Sequence, residues 1–317
     1  KIVVMQNGQI VETAKTEVLL YNMKHPYTRA LFNASTHRVV MPDVITSGTL
    51  LSVDSVVRTY SLPRNGVLGS RPNFNALDNV SFNISHGERV GLVGESGCGK
   101  STLTRAILGV EDVQSGWIKL DGEPVFSGKR PNIDVRRKMQ VVFQDPYSSF
   151  NPRHRVDRLI AEPLHVLENA PVGKLKDLAI LKALEDVGLM ASDAKKFIHE
   201  FSGGQRQRIA IARALIIEPE LIIFDEAVSA LDVSVRAQVL DLIAELCHKR
   251  PLAYLFISHD LSVVRTVTDR VMIMRAGKIV EHGETEKVFT NPQNAYTKTL
   301  IAAAPRLPEI TYAIEPV

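Results

Sequence analysis

The residues best equipped for chemistry stand together at Gly94-Glu95-Ser96-Gly97-Cys98-Gly99-Lys100-Ser101-Thr102. Their spacing is G-x-x-x-x-G-K-[ST], with the apolar run Val90–Val93 before it and the helix-forming run Leu103–Leu108 after it. The glycines let backbone N–H groups converge on phosphate oxygens, and the helix start adds partial positive charge. Lys100 would reach β- and γ-phosphates, and the Ser101 hydroxyl would ligate Mg²⁺. A merely structural glycine turn explains the glycines, but not the lysine, hydroxyls and flanking elements together. Cys98 lies inside the loop, where the helix amides and Lys100 should depress a thiol pKa. Cys98 is therefore expected to alkylate readily without nucleotide and to be protected by it.

A second chemical cluster is Glu220-Leu221-Ile222-Ile223-Phe224-Asp225-Glu226, four apolar residues ending in two carboxylates. Buried parallel strands read this way, with ligand-facing groups at the carboxyl end. Asp225 suits a Mg²⁺ partner, and Glu226 could orient and deprotonate an attacking water. The run Ala253–Ile257 likewise ends in Ser258-His259-Asp260, which would bring His259 to the same sheet edge as Glu226. Ser202-Gly203-Gly204-Gln205 precedes the helical run Ile209–Ile217. Ser202 reads as its N-cap, and the uncovered amides form a second anion-binding helix start. Because the chain's own phosphate cradle is already elsewhere, this terminus is expected to serve the nucleotide of a partner domain.

The elements that must hold these groups belong to an ordinary globular chain: 317 residues, 45% hydrophobic, 23% charged, net charge +3. Wholesale disorder, collagen-like fibres and disulfide miniproteins are excluded, and one large or two modest domains fit the length. Cys98 and Cys247 are too few and too far apart for a disulfide framework or a CxxC metal site. No run of about 18 apolar residues is present. Residues 1–34 align without gaps on 270–303, with identity at about a third of the positions. Met5-Gln6-Asn7-Gly8-Gln9-Ile10-Val11-Glu12 pairs with Met274-Arg275-Ala276-Gly277-Lys278-Ile279-Val280-Glu281, and Tyr27-Thr28 with Tyr296-Thr297. Both copies read as a strand, a glycine turn, a strand and an amphipathic helix. Residues 1–35 are accordingly expected to be the tail of an upstream copy of the same domain, and the Lys1 start a cut within a longer product. Residues 36–48 read as an exposed linker. Leu50–Tyr60 and Val80–Ile84 read as strands, separated by an inserted loop at Ser61–Asn75.

With these motifs in this order, residues 49–283 resemble the ATP-binding subunits of ABC transporters. In that resemblance Gly94–Thr102 is the Walker A loop, Gln144 the Q-loop glutamine and a further Mg²⁺ contact, and Ser202–Gln205 the signature. Leu221–Asp225 is Walker B, Glu226 the catalytic glutamate, Ser229-Ala230-Leu231-Asp232 the D-loop, His259 the H-loop histidine and Tyr60 the adenine-stacking aromatic. Phe201 replaces the family's usual leucine, and Ala227-Val228 its usual Pro-Thr. The resemblance implies an α/β fold: a RecA-like P-loop NTPase core, an antiparallel β subdomain, and an inserted helical subdomain at about 150–205. Residues 284–317 would form a C-terminal tail. ATP and Mg²⁺ are the implied ligands. Two such domains would close on two MgATP, with Ser202, Gly203, Gly204, Gln205 and Asp232 acting across the interface.

The tail pattern Asn291-Pro292-Gln293-Asn294-Ala295-Tyr296-Thr297, with His25-Pro26-Tyr27-Thr28-Arg29-Ala30-Leu31, looks like the oligopeptide, dipeptide, nickel and glutathione importer branch. So do Ser148–Arg153 and Asp232-Val233-Ser234-Val235. Some members carry an iron–sulfur cluster on C-terminal cysteines; this chain lacks them, so none is expected. The implied protein is a bacterial importer motor on the cytoplasmic face of the inner membrane. It would be bound to permease subunits and served indirectly by an extracytoplasmic binding protein. Peptides are the favoured cargo and nickel the alternative. Two rivals share the phosphate chemistry. An ABC ATPase acting on ribosomes or DNA would usually carry a dominant basic insertion, and none is present. A regulatory nucleotide module would not need Lys100, Asp225, Glu226 and His259 intact.

Overall fold

The computed structural model describes residues 1–61, 72–128 and 130–304. Its centre is a six-stranded sheet in the order Met139–Phe143, Leu221–Asp225, Ala253–Ile257, Arg89–Val93, Arg270–Arg275, Lys278–Glu284. The first five strands are parallel, and the last closes an antiparallel hairpin. Arg89–Val93 and Ala253–Ile257 are buried at every position, which explains why the sequence shows continuous apolar runs there rather than alternation. Odd and even residues serve different cores. Val90, Leu92, Leu221, Ile223, Leu255 and Ile257 face an antiparallel sheet through Leu51, Val53 and Ile84. Ile222, Phe224, Tyr254 and Phe256 face helices through Ile209, Ile243 and Val264. Phe224 and Tyr254 meet edge to face with centroids 5.5 Å apart.

The antiparallel sheet runs Asn73–His86, Ser47–Ser61, Ser115–Leu120, Glu123–Pro124. Both long strands extend past the expected limits, because their ends are paired and not free (Ser47 with His86, Ser61 with Asn73). Most of the expected inserted loop, residues 62–71, lies outside the described residues. The helical part contains Val156–Ile160, Lys174–Asp186 and Gly203–Leu215, joined by short 3₁₀ turns at Glu162–Val166, Ala191–Lys195 and Ile198–Glu200. Leu159, Ile160, Leu184, Ile198 and Phe201 are almost fully buried and continue the helix-side core. This placement hangs the helices beside the carboxyl ends of the strands.

The two ends repeat in detail. Hairpins Ile2–Gln6/Gln9–Ala14 and Arg270–Arg275/Lys278–Glu284 each carry a register shift, between Val4 and Met5 and between Ile273 and Met274. Each turn has two positive φ angles, 50° and 78° at Asn7-Gly8 and 46° and 81° at Ala276-Gly277, the pattern of a tight two-residue hairpin. Each copy continues into two helices, not the single one expected: Thr16–Tyr21 and Pro26–Ser35, Thr285–Thr290 and Ala295–Ala303. The carboxylate of Glu12 accepts from the N–H groups of Lys24 and His25, and that of Glu281 from those of Gln293 and Asn294. Between Ser35 and Ser47 the chain is mostly exposed, as its composition implied, but it is tied down. His37 meets Asp241 at 2.7 Å, Val39 and Met41 pack on the core, and Arg89 donates to the Pro42 carbonyl at 2.8 Å.

Candidate functional site

Sheet register brings the chemical residues to one edge. Phe143 is level with Asp225, Asp225 with Ile257, and Ile257 with Leu92. Adjacent strands lie about 4.8 Å apart, so Gln144, Glu226, Ser258-His259 and the Gly94 loop emerge side by side. The helix after the loop, Lys100–Ile107, starts at Gly99 with φ 115°. A β-carbon on Gly99 would sit 2.2 Å from the Ala76 carbonyl oxygen, so only glycine fits between the loop and the neighbouring sheet. Ser96, Gly97 and Ser101 are exposed on the loop's outer side, whereas Gly94, Cys98, Gly99 and Thr102 are buried.

Lys100 is 8% exposed, and its ammonium is seated on the carbonyls of Gly94 at 2.6 Å and Glu95 at 3.0 Å. The Thr104 hydroxyl donates to the Lys100 carbonyl, which pins the first helical turn. These bonds place the charge of Lys100 inside the loop, ready for a phosphate. They also correct the expectation for Cys98. Burial pushes its thiol pKa up, and Lys100, whose Nζ is 3.9 Å from Sγ, only partly opposes this. The charge of Lys100 is already satisfied by carbonyls, so desolvation of the thiolate wins.

Burial, reinforced by the neighbouring charge of Glu226, raises the Asp225 pKa, against the pull of Lys100 and the Thr104 hydroxyl. Glu226 adopts a positive φ of 53°. Its N–H donates to the Ile257 carbonyl at 2.9 Å, and its own carbonyl accepts from the Ser229 N–H and hydroxyl. The surroundings therefore hold an unfavourable backbone conformation at the residue proposed to act as base. The Glu226 carboxylate meets His259 Nδ1 at 2.8 Å. His259 stands between Ser258, whose hydroxyl accepts from the Asp260 N–H, and Asp260, which caps the helix Leu261–Val267 and pairs with Arg236 at 2.7 Å. Gln144 is exposed directly after its strand. Among the described residues, no three His, Cys, Asp or Glu side chains form a metal-holding group. The Ser101 hydroxyl, Asp225 carboxylate and Gln144 amide are all oxygen donors, the set a hard cation bound largely through phosphates requires.

Ser202 is the expected N-cap: it accepts from the Gln205 N–H, and the Gln205 side chain returns a bond to the Ser202 N–H at 3.0 Å. This terminus packs beside Asp232, not against the chain's own phosphate loop. A β-carbon on Gly204 would lie 2.3 Å from Val235, in the helix Val233–Lys249 that Asp232 caps. Gly203 lies over Leu231. The Val235 N–H bond, foremost, holds the Asp232 carboxyl below its ordinary range. The five residues expected to act across an interface thus cluster together. Tyr60 is half-buried, donates to the Glu111 carboxylate and lies under the Arg58 guanidinium at 5.0 Å. Glu111, Arg58, Arg275 and the link from Tyr296 to the loop belong to no motif and emerge only from the fold. The Tyr27/Tyr296 identity was the only signal for any of them.

A phosphate loop, an acidic strand end and a histidine on one parallel sheet edge, with a helical insertion, define a P-loop nucleotide-binding cassette. The "ABC transporter" family model matches residues 77–229, and the "Oligopeptide/dipeptide transporter, C-terminal region" model matches residues 11–40 and 280–315. The chain is 45% identical to the "Oligopeptide transport ATP-binding protein OppF" of Bacillus subtilis, over 83% of this chain and 84% of that one. It is 43% identical to the "Uncharacterized ABC transporter ATP-binding protein YejF" of Escherichia coli, over 95% of this chain but 57% of that one. The dimeric post-hydrolysis structure of the ATP-binding cassette MJ0796, bound to ADP and Pi, superposes with a TM-score of 0.64 at 26% identity. That match covers 74% of this chain and 99% of that one. The chain belongs to the ATP-binding proteins of the ABC transporter family, in its oligopeptide/dipeptide branch. It spans a little over half the length of YejF.

Proposed function

We propose that the chain is the ATP-hydrolysing motor of an importer, with di- or oligopeptides, including glutathione, as cargo. The observation that carries this is the convergence of the Gly94–Thr102 loop, Asp225-Glu226, His259 and Gln144 at one sheet edge, apart from the Ser202/Asp232 cluster. One cassette thereby offers a cradle on one surface and an anion-binding helix start on another, which suits two cassettes enclosing two nucleotides. Lys100 and the loop amides Gly97–Thr102 hold the phosphates, and Tyr60 receives the adenine. Mg²⁺, held by Ser101, Asp225 and Gln144, would neutralise charge on the β- and γ-phosphates. Glu226 takes the proton of the attacking water, and His259, bonded to it, orients the carboxylate and faces the γ-phosphate. Gln144, between the sheet and the helices, reports the phosphate state to the helical part, which moves with it.

The peptide assignment draws on the likeness to OppF and on the C-terminal region model. Permease subunits are the proposed membrane partners, on the likeness to transport ATP-binding proteins such as OppF. Residues 1–35 are read as the tail of an upstream cassette. The two-ended match of that model and the repeated Glu12 and Glu281 bonds support this. Glu226→Gln tests the chemistry. Phosphate release should fall by about 10²–10⁴-fold while MgATP still binds and holds a cassette pair together. Unchanged steady-state turnover would remove Glu226 as the base.

A further inference from the structure

The tail pattern Asn294-Ala295-Tyr296-Thr297 recurs as His25-Pro26-Tyr27-Thr28, and the chemistry described so far gives it no task. Its capping residues explain themselves: Asn294 accepts from the Tyr296 N–H at 2.9 Å, and His25 from the Tyr27 N–H at 3.2 Å. The tyrosine side chain takes no part in those caps, so the local helix start does not require it. In the C-terminal copy that side chain is 8% exposed and reaches the phosphate loop. Its hydroxyl accepts from the Glu95 N–H at 3.4 Å, while the Arg275 guanidinium lies 4.7 Å from its ring centroid.

The Glu95 N–H and the Gly94 carbonyl belong to one peptide unit. That unit is planar and trans, so its N–H and C=O point in opposite directions. Tyr296 holds the N–H end and Lys100 Nζ holds the C=O end, at 2.6 Å. Whatever fixes the first also fixes the direction of the second. The hairpin preceding the tyrosine braces the same loop from behind. The Gly277 N–H donates to the Cys98 carbonyl at 2.9 Å, and a β-carbon on Gly94 would lie 2.3 Å from the Met274 carbonyl oxygen. One continuous module, 270–303, therefore touches the loop at Gly94, Glu95 and Cys98.

We propose that Tyr296 is a positioning residue for the phosphate loop: its hydroxyl sets the Gly94–Glu95 peptide, and through it the seat of Lys100. The C-terminal module is then part of the nucleotide site, joined to it through a single peptide plane. This rests on the reading of 94–102 as the ATP cradle and adds to it a residue about 200 positions away in sequence.

Tyr296→Phe removes one oxygen and keeps the ring under Arg275. Loss of one neutral hydrogen bond of this kind should weaken MgATP and MgADP binding by about two- to tenfold. KM for ATP should rise in parallel with kcat held. Amide exchange at Glu95 should quicken, with the thermal midpoint little changed. Thr299→Ala is the control: Thr299 lines the cleft beside Tyr296, but its hydroxyl donates only to the Ala295 carbonyl of its own helix. It should leave nucleotide affinity and Glu95 exchange at wild-type values. Wild-type affinity and wild-type Glu95 exchange in Tyr296→Phe would overturn the proposal, as would an equal loss in Thr299→Ala. A wild-type chain that binds no MgATP would instead overturn the reading of the cradle itself.

Discussion

Two glycines of the phosphate loop separate backbone strain from steric exclusion. Gly97 has φ 81° with nothing within 4 Å of an added β-carbon. Gly97→Ala therefore incurs only the left-handed conformation, about 1–2 kcal/mol. Gly99 has φ 115°, and its β-carbon would meet the Ala76 oxygen at 2.2 Å and Met274 Cε at 2.7 Å. The Met274 methyl ends a flexible side chain, but the Ala76 carbonyl is backbone and has no room to retreat. Ala76 and Leu77 are 2% and 0% exposed within a paired strand, and Met274 is fully buried. The loop itself must shift by roughly 0.8 Å to restore a tolerable contact. Overpacking of this kind adds about 1–3 kcal/mol. Urea unfolding should accordingly place Gly99→Ala about 2–5 kcal/mol below wild type and Gly97→Ala about 1–2 kcal/mol below, with unchanged m-values. Displacement of the loop by nearly an ångström should also weaken productive MgATP turnover by about 10²-fold in Gly99→Ala. Equal unfolding free energies for the two variants would refute the assignment of the Ala76 contact as the decisive one.

Asp225 offers a pH test. Its folded pKa is raised by burial and by Glu226, so the native state holds that proton more tightly than the unfolded chain does. Stability is then lost as pH rises from the ordinary carboxylate range through the raised value, and it stays lost at neutral pH. Asp225→Asn should melt above wild type at pH 8, lose that advantage in acid, and hydrolyse no ATP; equal melting at pH 8 would contradict the burial argument. Cys98 should react slowly with iodoacetamide whether or not MgATP is present, and an exposed-thiol rate in the nucleotide-free protein would show that Lys100 prevails over burial. Cys247, pushed up to about 11 by burial, should be equally inert until the protein unfolds.

The parallel strands were legible because burial on both faces leaves continuous apolar runs, as in Leu221–Phe224 and Ala253–Ile257. The polar residues ending those runs mark the sheet edge where Asp225, Glu226 and His259 stand. The Ser202 cap was legible for the same local reason, a hydroxyl followed three residues later by a glutamine. Cys98 departs from the expectation because its charge neighbours are adjacent in sequence, while the burial that outweighs them comes from distant chain, including Met274 in the same core cluster. Tyr60's bond to Glu111 and Tyr296's bond to Glu95 cross from one element to another, and spacing alone encodes neither. Linker composition foretold exposure but not the anchors at Asp241 and Arg89, which depend on where the core surface falls.

The terminal repeat divides these two kinds of information within one molecule. Both copies keep the hairpin with its shifted register, the doubly positive turn, the carboxylate that ties the second helix and the helix cap. The module's backbone is therefore the same in two different tertiary settings. Burial differs on one strand face: Met272 and Met274 are 0% exposed, while their counterparts Val3 and Met5 are 47% and 55% exposed, although Val4 and Ile273, at 6% and 0%, are buried in both copies. The difference lies in the neighbours. Arg270–Arg275 has Arg89–Val93 along its outer edge, whereas Ile2–Gln6 is paired among the described residues only with its own hairpin partner. The module thus keeps its backbone in both settings, and buries this strand face only where a core strand lies beside it. Tyr296 gives that docking a chemical purpose: Met274 is buried on the antiparallel-sheet side, while the tyrosine packs in the helix-side core and carries its hydroxyl to the Glu95 amide.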